Sequence, residues 1–470
     1  MSLIFWCVNS TWVILGVVIF FPTLVTATTP PKIENSASTL QPPNSLNPNP
    51  NPLQFPTKPE EVKIQETVSI SLTQALELAQ RNNRDLQLAI LQLQRSRSSL
   101  QESQAALFPT LGLNGNLTNN GNGFSSSSSQ SSTSFSGSAQ LNYNLYTSGN
   151  REATIRAAEE QLRVDEFNVE TQALTIRLNA TTQYYDLQQA DEQVRINQSA
   201  VDNAQASLRD TQARLSAGVG TQFDVLQAQV NLANAQQQLT NAVSQQRIAH
   251  RQLATLLSLP QSVDINAADR VELAGLWQPT LEETIVRAFQ SRPELQQQLA
   301  QRNIYEQQRR QALSQLGPQI SLAGSYNLQD RYNDGVSVTD GYSVGLQASL
   351  NVFDGGAARA RAAQSKTDIA IAETQFASQR DQIRFDVEQY YYQLRSNLDN
   401  VQTSSLALSQ AQEALNIARL RFDAGVGTQT EVISAENALT TAEGNRVTAI
   451  LDYNRALANL QRSVTSRASR

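Results

Sequence analysis

One pattern of apolar residues occurs twice in this chain and predicts two very long coiled-coil helices. In the first copy the seam repeats every seven residues and then resumes after a step of eleven, at Ile155, Leu162, Val169, Ile176, Leu187, Val194, Val201, Leu208 and Leu215. The second copy repeats the seam and its interruption at Ile369, Phe376, Ile383, Leu394, Val401, Leu408, Leu415 and Phe422. Because an eleven-residue step relaxes the left-handed supercoil of a heptad, each helix should straighten near Tyr184 or Tyr391.

The length of these helices constrains the fold. A helix from about Ser148 to Ala217 would be on the order of 100 Å long at 1.5 Å per residue, which no compact globule accommodates. The flanking helices, predicted at about Thr73–Leu107 and Thr221–Leu257, together hold about as many residues. Stacked end to end, they could pair with the long helix, so each copy should form a long coiled-coil pair.

A second signal shows that the whole plan is duplicated. Ala-Gly-Val-Gly-Thr-Gln occurs at Ala217–Gln222 and again at Ala424–Gln429. Tyr184-Tyr185 returns as Tyr391-Tyr392 at the same spacing. Each copy is predicted to contain a helix, two strands, a long helix and a further helix. The predicted organisation is a first structural repeat at 66–260, an inter-repeat linker at 261–280, a second repeat at 281–462 and a C-terminal tail at 463–470.

Alternation of apolar and polar residues at period two predicts two strands in each repeat. Leu141, Tyr143 and Leu145, for example, alternate with amide side chains. Each strand has about ten residues, the length that crosses a bilayer with one face toward lipid and the other toward water. The predicted strands lie at about 110–118, 135–146, 319–329 and 341–353. Polar loops at 119–134 and 329–340 join each pair, and Pro109 and Pro318 mark the ends of the preceding helices.

Four strands cannot close a barrel, and a lipid bilayer tolerates no unpaired sheet edge. The strands of several chains must therefore pair into one ring. Single-chain barrels begin at about eight strands, so two chains are the minimum and three would give twelve strands with room for water. The residues alone do not choose between these numbers.

The N-terminal region predicts export from the cytoplasm. An apolar run at Trp12–Val25 leads into the small-residue pattern Val25-Thr26-Ala27, which predicts a signal peptide over 1–27, cleaved after Ala27. No Lys or Arg precedes the run, so a retained N-terminal anchor is the alternative. Residues 28–65 are rich in Pro and Asn and predict a disordered tether. Cys7 is the single cysteine, which excludes an intramolecular disulfide.

The charge of the chain argues against nucleic acid as a partner, and the arrangement of its polar residues argues against catalysis. Hydrophobic residues make up 40% and charged residues 17%, and the net charge is −6 without a basic cluster. No catalytic or metal-ligating constellation is recognisable, and no cofactor is implied. His250, the only histidine, is expected to be solvated on a polar helix. Tyr184, Tyr185 and Tyr390–Tyr392 are interpreted as packing residues rather than a ligand cage.

The duplicated helix, strand pair, long helix and helix, with a Gly-Val-Gly-Thr turn in each copy, resembles the TolC outer-membrane efflux proteins over roughly residues 66–462. The resemblance implies a mainly α fold with a membrane β part. A homotrimer would combine a twelve-stranded barrel, surrounded by outer-membrane lipid, with a long coiled-coil α-barrel in the periplasm. It also implies a non-enzymatic exit duct that docks to a periplasmic adaptor and an inner-membrane RND or ABC pump. Drugs, metabolites or unfolded proteins would be the cargo.

The two turns are the predicted docking tips, because in the family they meet the hairpin of the adaptor. Their residues are Arg214, Leu215, Gly218, Val219, Gly220, Thr221 and Asp224 in the first tip and Arg421, Phe422, Gly425, Val426, Gly427 and Thr428 in the second. Glycines permit the positive φ of a tight turn, and Thr followed three residues later by an acid resembles a capping box. The alternative is two well-capped hairpins without a docking role.

Glu431 is the predicted aperture gate, because it matches an acidic residue that rings the closed tunnel mouth in the family. Ser434 stands where well-studied members carry a second acid, and Gly427 stands where they carry a basic residue. A ring of three Glu431 side chains, one from each chain, is therefore expected. The alternative is that Glu431 is only a first-turn acid favoured by the helix macrodipole.

A second class of protein, a coiled-coil scaffold or a periplasmic adaptor without a pore, remains open at this point. The four alternating strands argue against it, as does the lack of a stretch of many short strands that would supply an adaptor's compact domains. An enzyme is the least favoured class. The cargo and the partner pump cannot be read from the sequence.

Overall fold

The computed structural model describes residues 46–48, 51, 53–121, 132–332 and 337–465, all within one compact unit, Pro42–Arg470. The predicted signal peptide at 1–27 and Cys7 lie outside the described residues, as do parts of the two predicted polar loops. Within the described ranges, no helix combines the length and the apolar character required to cross a lipid bilayer.

Nine helices and six strands are found in the described parts of the chain. The first half contains α1 (Pro59–Val62), β1 (Glu66–Ile70), α2 (Leu72–Asn82), α3 (Arg84–Ala105), β2 (Thr110–Asn120), β3 (Ser132–Tyr146), α4 (Asn150–Ser216) and α5 (Gln222–Leu256). The second half contains β4 (Val263–Ala267), α6 (Leu281–Ser291), α7 (Pro293–Ser314), β5 (Gln319–Tyr332), β6 (Thr339–Ser349), α8 (Ala357–Asp423) and α9 (Gln429–Val464). The fold is mainly helical with some strands.

The long helices α4 and α8 have 67 residues each, and α5 and α9 have 35 and 36 residues. At 1.5 Å per residue, α4 and α8 are each about 100 Å long. Their buried seams include Val169 and Leu187 in α4 and Ile383 and Leu394 in α8, as the heptad pattern predicts. The long helix and the one that follows it are thus confirmed in both halves.

The prediction of one continuous helix at Thr73–Leu107 is wrong, because the helix is interrupted at Asn83. Asn83 is extended, and its side chain accepts hydrogen bonds from the backbone N–H groups of Asp85 and Leu86, which starts a new helix. The same side chain donates to the carbonyl of Leu256, at the end of α5, over 2.9 Å. One asparagine therefore ends α2, caps α3 and holds the end of α5.

The strands β2, β3, β5 and β6 form one antiparallel sheet in that order. The predicted strands are present, but the fourth, predicted at about 341–353, ends at Ser349. Asp354 explains the early end, since its carboxylate accepts hydrogen bonds from the N–H groups of Gly356 and Ala358 and begins α8. Gly355 and Gly356 have φ values of +69° and +89°, which favour glycine.

A second, parallel sheet of β1 and β4 was not predicted. Its strand β4 lies in the predicted linker at 261–280, so that part of the linker is an ordered element, and it packs on α4 and α5. Ile70 and Ile265 from this sheet are buried in the core. The Tyr184 hydroxyl donates to the carbonyl of Ile70 and to Asp269, at 3.0 and 2.8 Å. Burial raises the pKa of Tyr184, which is consistent with a packing role.

The predicted tether at 28–65 also needs correction where the structure describes it. Leu46 is fully buried, and its carbonyl accepts a hydrogen bond of 3.1 Å from the side chain of Asn82. The short helix Pro59–Val62 follows before β1 begins. The chain is therefore held against the helices well before residue 65.

Candidate functional site

Both predicted tips are tight turns of the same geometry. In the first, Gly218 has a φ of +76°, and the N–H groups of Val219 and Gly220 both donate to the carbonyl of Arg214 at 3.0 and 3.1 Å. These two bonds satisfy the carbonyl of Arg214, which the end of α4 would otherwise leave unpaired. A Cβ atom at Gly220 would lie 3.0 Å from the backbone nitrogen of Leu215, so the turn has no room for a side chain there.

The second tip repeats this arrangement at the end of α8. Gly425 has a φ of +74°, and the N–H groups of Val426 and Gly427 both donate to the carbonyl of Arg421 at 3.0 Å. A Cβ atom at Gly427 would lie 2.9 Å from the nitrogen of Phe422. The glycine at 427 is therefore required by the backbone of this turn.

The two tips differ in how the next helix begins. Thr221 and Asp224 form the predicted capping box, in which each side chain accepts a hydrogen bond from the other residue's N–H group. At the second tip Thr428 accepts from the N–H of Glu431, but the return bond is missing. The second capping box is thus only half formed. Instead, the Glu431 carboxylate lies 3.6 Å from the guanidinium of Arg421, across the turn.

The tips of the two repeats contact each other directly. Arg214 donates a hydrogen bond of 2.9 Å to Asp423, and its guanidinium also lies 4.3 Å from the centre of the Phe422 ring. A cation over an aromatic face is attracted by the electrons of the ring. Arg214 therefore contacts both a carboxylate and an aromatic side chain of the opposite hairpin.

A second set of polar contacts lies in the helices next to the tips. Arg419 on α8 contacts Asn203 on α4 and Glu436 on α9, each at 3.1 Å. Glu436 is buried, and its burial raises the pKa of the carboxyl, while Arg419 acts in the opposite direction. The side chain of Gln429 donates to the Ser207 hydroxyl in the same region. The contacts of Arg419 with Asn203 and of Gln429 with Ser207 join the second hairpin to the first.

The structure thus brings together Arg214, Phe422, Arg421 and Glu431, which the sequence singled out. Sequence reasoning missed the roles of Asp423, Arg419 and Glu436. Arg214 and Asp423 are 209 residues apart, and no local pattern shows that they meet. Opposite charges near the two duplicated turns were the only available signal.

Apolar side chains are exposed at both tips. Val219, Val426 and Phe223 have 75%, 70% and 69% of their surface exposed. Exposed apolar side chains clustered at the end of a structure are typical of protein interaction sites. Within the described residues, no group of three or more acidic, histidine or cysteine side chains could hold a metal ion.

His250 is not solvated, and this prediction is wrong. The ring is buried between two carboxylates, with Nε2 at 3.1 Å from Asp191 on α4 and Nδ1 at 3.4 Å from Asp264 on β4. Burial by itself lowers the pKa of His250, but the two carboxylates outweigh this effect and raise the pKa above its ordinary value. Arg251 pairs with Asp264 at 2.6 Å. The histidine therefore connects two helices and the small sheet.

Paired helices, two of them about 100 Å long, together with a four-stranded antiparallel sheet define a mainly helical class of fold. The comparison with protein families identifies the class further. The family model described as "Outer membrane efflux protein" matches residues 75–258 and 284–465, one segment in each half. The chain belongs to the outer membrane efflux protein family.

Named relatives agree with this assignment. The chain is 26% identical over 383 residues to the pyoverdine export outer membrane protein OpmQ of Pseudomonas aeruginosa, covering 79% of this chain and 80% of OpmQ. It is 23% identical over 405 residues to the outer membrane protein TolC of Escherichia coli, covering 82% and 80%. The CmeC outer membrane channel of Campylobacter jejuni has a similar fold, with a TM-score of 0.73 at 17% identity over 89% of this chain and 94% of CmeC.

Proposed function

We propose that this protein is the exit duct through which an efflux or type I secretion system passes cargo across the outer membrane. Three copies would form a closed tube, with a twelve-stranded barrel in the membrane and a helical tunnel in the periplasm. A periplasmic adaptor and an inner-membrane RND or ABC pump would deliver the cargo, and the periplasmic tip would be gated. The observation that supports this proposal is that one side of the helical layer and both edges of the sheet lack partners within the described chain.

The helices are incomplete on one side. Helix α4 lies between two sets of partners, α3 and α5 in one set and α7 and α9 in the other. Helix α8 packs on α6, α7 and α9 and, within the described residues, makes no comparable contact with α3 or α5. Its uncovered apolar side chains, each at least 48% exposed, include Ile371, Phe385, Tyr392, Leu406 and Leu420. A second copy that places α3 and α5 beside α8 would complete the same four-helix arrangement around a ring.

The sheet is incomplete at both edges. Strands β2 and β6 each pair with one neighbour, so their outer backbone groups have no partner within the described sheet. In lipid such groups cost several kcal/mol each. Pairing β6 of one chain with β2 of the next would satisfy these backbone groups. The same neighbouring chain would also supply α3 and α5 to the uncovered side of α8. Three copies then give the twelve strands proposed.

Contacts at the tips support a gate. Each copy would contribute the Arg214–Asp423 pair, which joins the two hairpins and must break if they move apart, and the Arg421–Glu431 pair, which lies within the second hairpin across its turn. Exposed ion pairs of this kind are weak, at about 0.2–1 kcal/mol each, so a docking partner could readily exchange them for its own contacts. The exposed Val219 and Val426 offer that partner an apolar anchor beside these pairs.

The function can be tested on the purified mature chain in a planar lipid bilayer, with native mass spectrometry of the same sample. A trimer that gives conductance steps of defined size would support the duct. A soluble oligomer that does not conduct would contradict it and would favour the scaffold or adaptor class. A conducting assembly of another size would contradict only the number of chains.

A further inference from the structure

The four-stranded sheet has two chemically different faces. Residues that pair directly in an antiparallel sheet lie on the same face, so the register defines rows across all four strands. One row joins Leu111, Leu141, Gly324 and Val344, and its side chains are apolar or absent. The adjacent row on the other face joins Gly112, Gln140, Ser325 and Ser343. The polar face is therefore lined by amides, hydroxyls and glycines.

Fixed charge is nearly absent from this polar face. Along the described strands, the polar rows hold Asn, Gln, Ser, Thr, Gly and Ala, and the single ionised side chain among them is Arg331. Arg331 pairs with Ser134, which pairs with Thr118. The two acids of the described part of this four-stranded sheet belong to the opposite face, since Asp330 pairs with Phe135 and Asp340 with Leu328.

Arg331 lies at the end of the sheet that is farthest from the helices. Strand β5 begins at Gln319, shortly after α7 ends at Ser314, and Arg331 follows twelve residues later. At about 3.3 Å per residue, this places Arg331 about 40 Å along the strand from the helical part. The side chain of Arg331 is exposed. Asp340 is engaged elsewhere, because it accepts a hydrogen bond of 3.0 Å from Tyr326.

We propose that Arg331 sets the charge preference of the outer mouth of the duct. In the homotrimer, three Arg331 side chains would form a cationic ring on the water-facing surface, which favours anions and anionic groups of the cargo. The remainder of the barrel surface would pass polar cargo of either charge, since its amides and hydroxyls offer hydrogen bonds without a net field. This inference rests on the proposed function, because it requires the polar face to line a water-filled lumen.

The expected size of the effect follows from the interaction between charges in water. One unit charge at about 10 Å raises the local concentration of a small anion by about twofold and lowers that of a small cation by about twofold. Salt screens the field over about 10 Å at 0.1 M and about 30 Å at 0.01 M. Low salt is therefore the condition in which a single ring of Arg331 should be detected.

The test is the reversal potential of single channels in a planar bilayer under a KCl gradient at low concentration. Replacing Arg331→Gln should lower the ratio of anion to cation permeability by about fourfold or more, and Arg331→Glu should lower it further. Arg331→Lys keeps the charge and should leave the ratio unchanged. Asp330→Asn is the matched control, because it removes one charge from the neighbouring residue on the opposite face and should shift the ratio much less.

The outcomes separate this inference from the proposed function. If wild-type channels conduct but Arg331→Gln leaves the reversal potential unchanged, the inference is wrong and the duct stands. An equal and opposite shift in Asp330→Asn would also overturn it, because the two faces would then not differ in their access to the lumen. If the wild-type protein forms no channel, the proposed function fails and the inference fails with it.

Discussion

Arg214 on the first hairpin donates a hydrogen bond of 2.9 Å to Asp423 on the second, so one chain ties its own two tips together. The same guanidinium lies over the ring of Phe422. This contact joins residues from the two copies of the duplicated pattern, and it lies beside the Arg421–Glu431 pair.

Replacing Asp423→Asn should loosen the tips. The neutral amide keeps the shape of the side chain but loses the attraction to Arg214, which is worth about 0.2–1 kcal/mol at an exposed position. We expect the probability of the open state to rise by a few fold, without a measurable loss of thermal stability. Single-channel recording of the purified protein measures the first quantity, and circular dichroism on heating measures the second.

Asp210→Asn is the control for this change. Asp210 is exposed near the end of α4, and its substitution removes the same charge as Asp423→Asn. The double exchange Arg214→Asp with Asp423→Arg should restore the closed state. If Asp210→Asn opens the channel as much as Asp423→Asn, the effect comes from net charge rather than from the contact between the tips.

Replacing Glu431→Gln should reduce the preference of the channel for cations and increase its conductance at rest. The substitution removes the proposed ring of three carboxylates and the ion pair with Arg421 at 3.6 Å. Reversal potentials and conductance in planar bilayers measure both effects. Glu413→Gln, an exposed position on α8, is the control. Unchanged conductance together with unchanged cation preference would show that Glu431 only favours the helix start.

Replacing Gly317→Ala should destabilise the junction between α7 and β5. A Cβ atom there would lie only 2.2 Å from the hydroxyl oxygen of Ser148, which donates to the carbonyl of Pro318. Overpacking of this kind costs about 1–3 kcal/mol. The thermal unfolding midpoint should fall accordingly, as measured by circular dichroism.

A second substitution distinguishes this clash from a general loss of flexibility. Ser148 has a φ of +52°, so Ser148→Gly removes the clashing atoms and suits the backbone. Gly317→Ala should therefore be largely rescued by Ser148→Gly. Gly112→Ala, where no atom lies within 4 Å of the added Cβ, should have little effect. A lack of rescue would point to the backbone of Gly317 itself.

The buried His250 should make stability depend on pH. Its pKa is raised in the folded state by Asp191 and Asp264, with Arg251 as the nearby opposing charge. A raised pKa stabilises the fold most fully below the unfolded pKa of about 6.5, and this contribution is lost as the pH rises through the folded pKa. Thermal midpoints of the wild type should therefore fall as the pH rises through this window.

His250→Gln should remove this dependence while keeping a side chain that can hydrogen bond. Asp191→Asn should weaken it, because one of the two carboxylates that raise the pKa is gone. Midpoints measured from pH 5.5 to 8.5 compare the three proteins. If His250→Gln shows the same slope as the wild type, other groups are responsible for the pH dependence.

Sequence periodicity was sufficient for the longest elements. The heptad seam predicted α4 and α8, and the period-two alternation predicted the four strands of the antiparallel sheet to within a few residues. The paired Gly-Val-Gly-Thr turns predicted both tips. These signals succeed because the pattern of apolar residues must follow the geometry of a helix or strand over many consecutive residues.

The elements that sequence reasoning missed depend on contacts between distant residues. The break at Asn83 is stabilised by a hydrogen bond to Leu256, 173 residues away. Strand β4 has only five residues and exists because it pairs with β1 at the other end of the first repeat. Neither short element has a periodic pattern long enough to be recognised.

The sequence by itself determined the long helices, the four strands of the antiparallel sheet and the positions of the two turns, because local geometry repeats along the chain. Only the tertiary structure decided which charges meet, placing Asp423 against Arg214 and burying His250 between Asp191 and Asp264. The physical reason is that an ion pair requires closeness in space. Residues on different helices acquire that closeness only when the apolar seams have packed.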